Sequence, residues 1–256
     1  MKDILARGQR EILRQFAWSN VLVALDYDGT LAPIVHHPGR AVMRESTRRL
    51  LAELASRYPC IVVSGRSQTD VRRRLRGIPL RAIIGNHGIE PWRATRRLVE
   101  ELRRWEPLLF ERLSRLPGVW VENKTFSVAV HYRGSREKKK ARAAILEAAA
   151  KLGRIRVIGG KQVVNLLPEG APHKGMALER ERERVGCDTA IYVGDDETDE
   201  DVFGLDQPGR LLSIRVGHSR SSQASYYLRS QAAIDELLAR LVGLRRGQEL
   251  RRALSS

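Results

Sequence analysis

Residues 21–30, VLVALDYDGT, are a short aliphatic run that stops abruptly on carboxylates. A continuous apolar run of this length, bounded by a turn, reads as a strand buried on both faces, which is the habit of a parallel sheet covered by helices. CIVVSGR (60–66), RAIIGNHG (81–88), TAIYVGDD (189–196) and LLSIRVG (211–217) have related forms, several ending in polar groups. Helical spacing lies between them, over 44–57, over 69–76 and from Lys174 onward. Alternating strands and helices predict an α/β fold with a doubly wound parallel sheet. In such sheets ligands bind outside the carboxyl ends of the strands.

The rest of the chain is organised around that sheet. Ile4, Leu5, Ile12, Leu13 and Phe16 recur at helical spacing, so a helix is expected at the start. In the middle, Leu98, Leu102, Trp105, Leu109, Leu113 and Leu116 share a helical face, with Pro107 predicting a kink or a fresh start. VWVENKTFSVAVHYR (119–133) then alternates as a strand does. Phe126, Val128, Val130 and Tyr132 take one face, and Ser127, Ala129, His131 and Arg133 the other. A helix over 136–152 and two strands, RIRVIGG and KQVVNLL, complete an antiparallel module with helices on one face. The expected domains are a core of residues 1–91 and 171–246, an inserted α+β cap of residues 92–170, and a solvated tail at 247–256.

With 256 residues and an apolar fraction of 42%, the chain is long enough to bury a core without staples. Its cysteines, Cys60 and Cys187, stand beside apolar segments and read as small core residues of a reduced protein. The charged start MKDILARGQR has no apolar core of signal length, and no stretch approaches membrane-spanning length. A soluble cytoplasmic monomer with no membrane partner is expected. The net charge of +16 raises nucleic-acid binding, but the basic residues are scattered over several helices and form no stripe interleaved with aromatics. No nucleic-acid partner is expected.

Chemistry concentrates at the strand ends. Asp26 and Asp28 lie two apart where the first strand turns, and Gly29 permits the turn. One carboxylate can attack phosphorus while the other moves a proton. An Asp- and Gly-rich turn chosen for conformation alone accounts for the same residues. The run GDDETDED (194–201) also follows an apolar strand, and its spacing excludes an EF-hand. Three convergent carboxylates, Asp26, Asp28 and Asp195, repel one another by about 4 kcal/mol per pair at 4 Å and an effective dielectric near 20. A hard divalent cation offsets this, and all-oxygen ligands beside a phosphate favour Mg2+. Ser64 with the Gly65 amide, and Lys174 at a helix start after Pro172, offer groups for a phosphate oxygen.

In this order, Asp26/Asp28, Ser64, Lys174 and Asp195 resemble the four motifs of the haloacid dehalogenase-like phosphatases. More narrowly, DYDGTLAP, VVSGR, GNHG, VENKTFSVAVHYR, HKG and GDDETDEDVF resemble the trehalose-6-phosphate phosphatase family over about residues 21–240. The resemblance implies that Asp26 is the nucleophile and Asp28 the acid/base. It further implies magnesium on Asp26, the Asp28 carbonyl and Asp195, with Asp196 or Asp199 in support. Ser64 and Lys174 steady the phosphoryl group, and Gly65, Arg66 and His87 stand with them on the substrate. In the cap, Glu122, Lys124, Arg133 and Lys161 match positions that face the sugar, trehalose 6-phosphate being the implied substrate.

One position departs from the family. Asn165 stands where a glutamate is usual, and Leu167 precedes Pro168 in place of a basic residue. An amide both donates and accepts but lacks the charge that strengthens bonds to hydroxyls. A phosphatase for another sugar or polyol phosphate, a sugar phosphotransferase and a basic nucleic-acid module without catalysis remain the competing readings.

Overall fold

In the computed structural model, residues 1–35, 38–91, 96–124, 127–160, 162–205 and 207–254 are described. Phe126 and Lys161, both singled out above, lie outside them. The first half of the chain runs β1 (Lys2–Asp3), α1 (Arg10–Trp18), β2 (Val21–Leu25), α2 (Glu45–Arg57), β3 (Cys60–Val63), α3 (Gln68–Arg74) and β4 (Ala82–Ile84). Next come α4 (Arg96–Leu113), β5 (Trp120–Asn123), β6 (Val128–His131), α5 (Lys138–Ala150), β7 (Ile155–Gly160) and β8 (Val163–Pro168). The chain ends with α6 (Lys174–Val185), β9 (Thr189–Gly194), α7 (Glu200–Phe203), β10 (Leu211–Val216), β11 (Tyr226–Leu228) and α8 (Ile234–Ala253). Two compact units result, Met1–Gly88 with Lys174–Ser256, and Ile89–His173.

The first unit holds a parallel sheet in the order β1-β11-β10-β9-β2-β3-β4. Val21, Val23 and Leu25 of β2 and Ile191 and Val193 of β9 face a core completed by α1, α2 and α8. The alternate residues Leu22, Ala24 and Tyr192 are also fully buried. Here α6 packs against β2 and β3, and Phe203 of α7 meets the Tyr192 ring edge-on at 6.0 Å. Helices therefore cover both faces, and the α/β doubly wound sheet read from the aliphatic runs is the fold observed. Each fully buried Val, Leu or Ile contributes about 1.5–3 kcal/mol, so strands apolar on both faces suit the two-sided burial. Cys60 and Cys187 are buried free thiols, and burial pushes Cys60 up to about 12.

The second unit is an antiparallel sheet, β5-β6-β8-β7. Val128, Val130, Val164 and Leu166 form one apolar face with Leu102, Trp105 and Leu109 of α4 and Ala141 and Ile145 of α5. The other face carries Trp120, Glu122, Ala129, His131 and Asn165, which the register sets in adjacent rows. Helix α4 continues through Pro107 as one element, without a fresh start there. Pro107 and Arg103 are both exposed, so the carbonyl that loses its amide partner faces solvent.

Both ends of the chain differ from expectation. Residues 2–3 form a strand because the Lys2 and Ile4 amides donate to the Ser225 and Tyr227 carbonyls at 3.2 and 3.1 Å, and the helix begins only at Arg10. At the other end, α8 continues to Ala253, so the exposed residues Glu249, Leu250, Arg251 and Ala253 are helical. Gln248 Nε2 donates to the Trp18 carbonyl at 2.9 Å, the Arg251 guanidinium lies 5.3 Å from the Trp18 ring centre, and Glu249 pairs with Arg57 at 2.6 Å.

Helices α2 and α8 are fastened at their N-termini by Asp235. Its carboxylate accepts from Thr47 Oγ1 at 2.5 Å, Ser46 Oγ at 2.7 Å and Arg44 Nη2 at 2.9 Å. Burial alone would push Asp235 up, but Thr47, Arg44 and Ser46 together hold it below the ordinary carboxylate range. A depressed folded-state value means stability that is complete above the unfolded value, near 3.9, and is lost as pH falls through the folded one. Asp235→Asn is expected to cost about 1–3 kcal/mol at pH 7, with the deficit shrinking below pH 4. Urea melts across that range check this, and an equal deficit at every pH would contradict it.

Candidate active site

Strands β2 and β9 are paired, with Ala24 beside Tyr192 and Leu25 beside Val193. The Asp26 amide donates to the Val193 carbonyl at 2.9 Å, which sets Asp26 level with the start of the acidic turn. Lys174, the first residue of α6, is 2% exposed. Its Nζ donates to Asp26 Oδ1 at 2.8 Å and to Asp199 Oδ1 at 2.7 Å. Asp199 also accepts from the Tyr192 hydroxyl at 2.6 Å and, through Oδ2, from the amides of Asp195 and Asp196, both at 2.9 Å. Both oxygens of Asp199 are thus engaged, which makes it the fixed anchor of the lysine. Burial pushes Asp26 well above the ordinary range, against the pull of Lys174 and with Asp199 and Asp195 adding to the rise. For Lys174 the two carboxylates outweigh burial and hold the ammonium charged.

Carboxylate oxygens of Asp26, Asp195 and Asp199 lie within 4.8 Å of one another. Three carboxylates against one ammonium leave a deficit that a divalent cation matches, and the donors are all hard oxygens. This donor set fits Mg2+. Gly29 has φ +87°, and a Cβ there would stand 2.1 Å from Asp195 Oδ2, so only glycine lets the loop pass this carboxylate. Asp196 caps the following turn, its Oδ1 accepting from the Glu197 amide at 2.8 Å.

Asp28 is held from another side. Arg66 Nε and Nη2 donate to its two oxygens at 2.5 and 2.7 Å, and Arg66 Nη1 donates to Asp70 Oδ2 at 2.8 Å. Asp70, which also binds Arg73 and Arg74, lies near 2: burial raises it, and the guanidinium bonds from Arg74, Arg66 and Arg73 more than reverse this. Ser64 is fully buried, and its Oγ accepts from the Arg66 amide at 3.2 Å. The His87 ring lies directly over Gly65, where a Cβ would stand 2.5 Å from His87 Cε1. His87 also takes a positive φ of 58°. The loops after β3 and β4 are thereby locked together, with the His87 amide donating to the Ser64 carbonyl at 2.9 Å.

In the second unit, His131 Nε2 and Glu122 Oε2 are 2.8 Å apart. This bond is the main reason that Glu122 lies below its ordinary range, with burial opposing and Lys124 assisting. Asn165 is 5% exposed, and its Oδ1 has no hydrogen-bond partner among the described residues. Lys124 is half-buried and Arg133 exposed. Reading the sequence alone missed Tyr192 and Asp70. A tyrosine inside an otherwise aliphatic buried strand needs a partner for its hydroxyl, and that was the available signal for Tyr192. Asp70 gives no such signal, because its partners converge only through the fold.

Comparison with known proteins adds independent findings. A family model described as trehalose-phosphatase matches residues 24–232. The probable trehalose-phosphate phosphatase D of Arabidopsis thaliana is 31% identical over 91% of this chain and 70% of its own length. The trehalose-phosphate phosphatase of Mycobacterium marinum is 34% identical over 86% of this chain and 60% of its own length. This chain therefore spans less than two thirds of that relative. The C-terminal domain of the C. albicans trehalose-6-phosphate phosphatase superposes with a TM-score of 0.77 at 23% identity, covering 92% of this chain and 97% of that one. That likeness is one of fold, the haloacid dehalogenase-like fold. With the match extending from β2 through the acidic turn and beyond, and with relatives above 30% identity over most of its length, the chain belongs to the trehalose-phosphatase family.

Proposed function

We propose that this protein is a magnesium-dependent phosphomonoester hydrolase that converts trehalose 6-phosphate to trehalose and phosphate through an aspartyl-phosphate on Asp26. The observation that carries this reading is the buried Lys174 bridging Asp26 and Asp199 beside Asp195. Its support is membership of a family whose relatives are named trehalose-phosphate phosphatases.

Asp26, Asp195 and the Asp28 backbone carbonyl would hold Mg2+, with Asp199 and Asp196 fixing the turn behind them. Bound there, the ion supplies neutralising charge to the oxygens of the transferring phosphoryl group. Asp26 attacks phosphorus as the bond to the sugar oxygen breaks, and Asp28, which takes up a proton as it turns from Arg66 to the bound ester, gives that proton to the leaving oxygen. Asp28 then takes a proton from water as the water oxygen attacks phosphorus, which frees phosphate and regenerates Asp26. Lys174, Ser64 and the Gly65 amide steady the phosphoryl oxygens. Arg66 and Asp70 orient Asp28, and His87 holds the loop that carries Gly65. Glu122, Lys124, Arg133, Lys161 and Asn165 are assigned to the sugar.

Asn165 supports a second reading, a phosphatase for another glycosyl phosphate, because a neutral amide stands where the family resemblance leads one to expect a glutamate. A substrate panel separates the two. The first reading expects kcat/KM for trehalose 6-phosphate to exceed those for glucose 6-phosphate and sucrose phosphate by about tenfold or more. Equal values would favour the second.

Asp26→Asn is expected to lower phosphate release about a thousandfold or more while leaving the circular dichroism spectrum unchanged. Chelation should abolish wild-type turnover and Mg2+ restore it. Retained turnover in either case would contradict the mechanism. Lys174→Met leaves buried carboxylates without their counter-charge and should cost about 3 kcal/mol or more of stability in the absence of metal. Added Mg2+ should then raise the melting temperature of this variant more than that of the wild type. No difference in the metal effect would argue against a cation among these carboxylates.

A further inference from the structure

Trp120, the first residue of edge strand β5, is 54% exposed. Its ring is not loose. It stacks on the His131 imidazole with centroids 3.9 Å apart and planes 7° from parallel. His131 in turn bonds Glu122 at 2.8 Å, so the indole, imidazole and carboxylate form one ordered group. A tryptophan serving only the core would bury its ring, since exposed aromatic surface gives up the burial energy that makes the residue valuable. One face of this indole is covered by His131, while more than half of the residue remains open to solvent.

The same sheet face carries two other unexplained groups. Asn165 is 5% exposed and Ser127 is fully buried, yet Asn165 Oδ1 and Ser127 Oγ have no partner among the described residues. The register puts Trp120 opposite His131, and Glu122, Ala129 and Asn165 in the next row. Ser127 follows two residues before Ala129, on the same side. Buried polar atoms without partners call for an explanation, and a polar ligand or ordered water that satisfies them is one. A flat apolar ring, an ionised carboxylate and two unsatisfied oxygens on one face match a pyranose, which has a C–H face and a rim of hydroxyl donors.

We propose that Trp120 is a specificity-determining residue that stacks on a sugar ring of the substrate, with Glu122, Asn165 and Ser127 accepting from its hydroxyls. This rests on the reading of the protein as a glycosyl-phosphate phosphatase and adds to it a residue outside the matched motif VENKTFSVAVHYR. His131 acts as a positioning residue, backing the indole and fixing Glu122.

The test compares wild type with Trp120→Ala and Trp120→Tyr on trehalose 6-phosphate and on acetyl phosphate, which has no sugar ring. Trp120→Ala should raise KM for the sugar phosphate roughly tenfold with kcat within about twofold, and leave acetyl phosphate unaffected. Trp120→Tyr keeps a stacking ring and should recover most of the loss. Parallel changes on both substrates, or no change on either, would overturn the proposal. A second readout is independent of turnover: titration with free trehalose should change the tryptophan fluorescence of wild type and not that of Trp120→Ala. If no glycosyl phosphate is cleaved, the proposed function fails and this titration alone decides for or against Trp120. Identical fluorescence titrations would overturn the stacking role.

Discussion

A buried ammonium between two buried carboxylates organises the active end of the sheet. Lys174 comes from the start of α6, Asp26 from the end of β2 and Asp199 from the turn after β9, so one side chain ties a helix start to two strand ends. Removing charges from water is costly, and a buried ion pair is tolerated only where further hydrogen bonds complete it. Tyr192 and two backbone amides complete Asp199. The arrangement is therefore rigid, and it leaves Asp26 and Asp195 beside each other with too little positive charge.

That residual charge links the fold to the proposed chemistry. A phosphate monoester is itself strongly anionic, and a site holding only carboxylates would repel it. In the proposed mechanism a divalent cation offsets the repulsion and Lys174 contributes the fixed part. Arg66 performs a separate task. It fastens Asp28 to Asp70, so the proposed nucleophile and the proposed acid/base are held by different cations and keep distinct environments.

Much of this was legible in the chain. Aliphatic runs ending in Asp, Ser or Gly marked the strands and their active ends, because burial on both faces leaves no room for alternation. The polar turns at 26–29 and 194–199 were visible for the same reason, since charge next to a buried strand must serve a purpose or be solvated. Other features depend on contacts distant in sequence. The strand at Lys2–Asp3 exists because β11 offers an open edge, and the helix at 247–253 because Trp18, Arg57 and Glu249 meet there. The Asp28–Arg66 pairing spans 38 residues, and no local pattern announces it. Trp120 reads as an ordinary strand residue until the sheet register sets it on His131.

The most direct test of the central claim is chemical trapping of the phosphorylated enzyme. Wild-type protein turning over trehalose 6-phosphate with Mg2+ is quenched, reduced with borohydride and mapped by mass spectrometry. Conversion of residue 26 to homoserine, absent without substrate or without Mg2+, is the result the account requires. Reduction at another carboxylate, or turnover with no reducible acyl phosphate under conditions that trap a known aspartyl-phosphate, would contradict it.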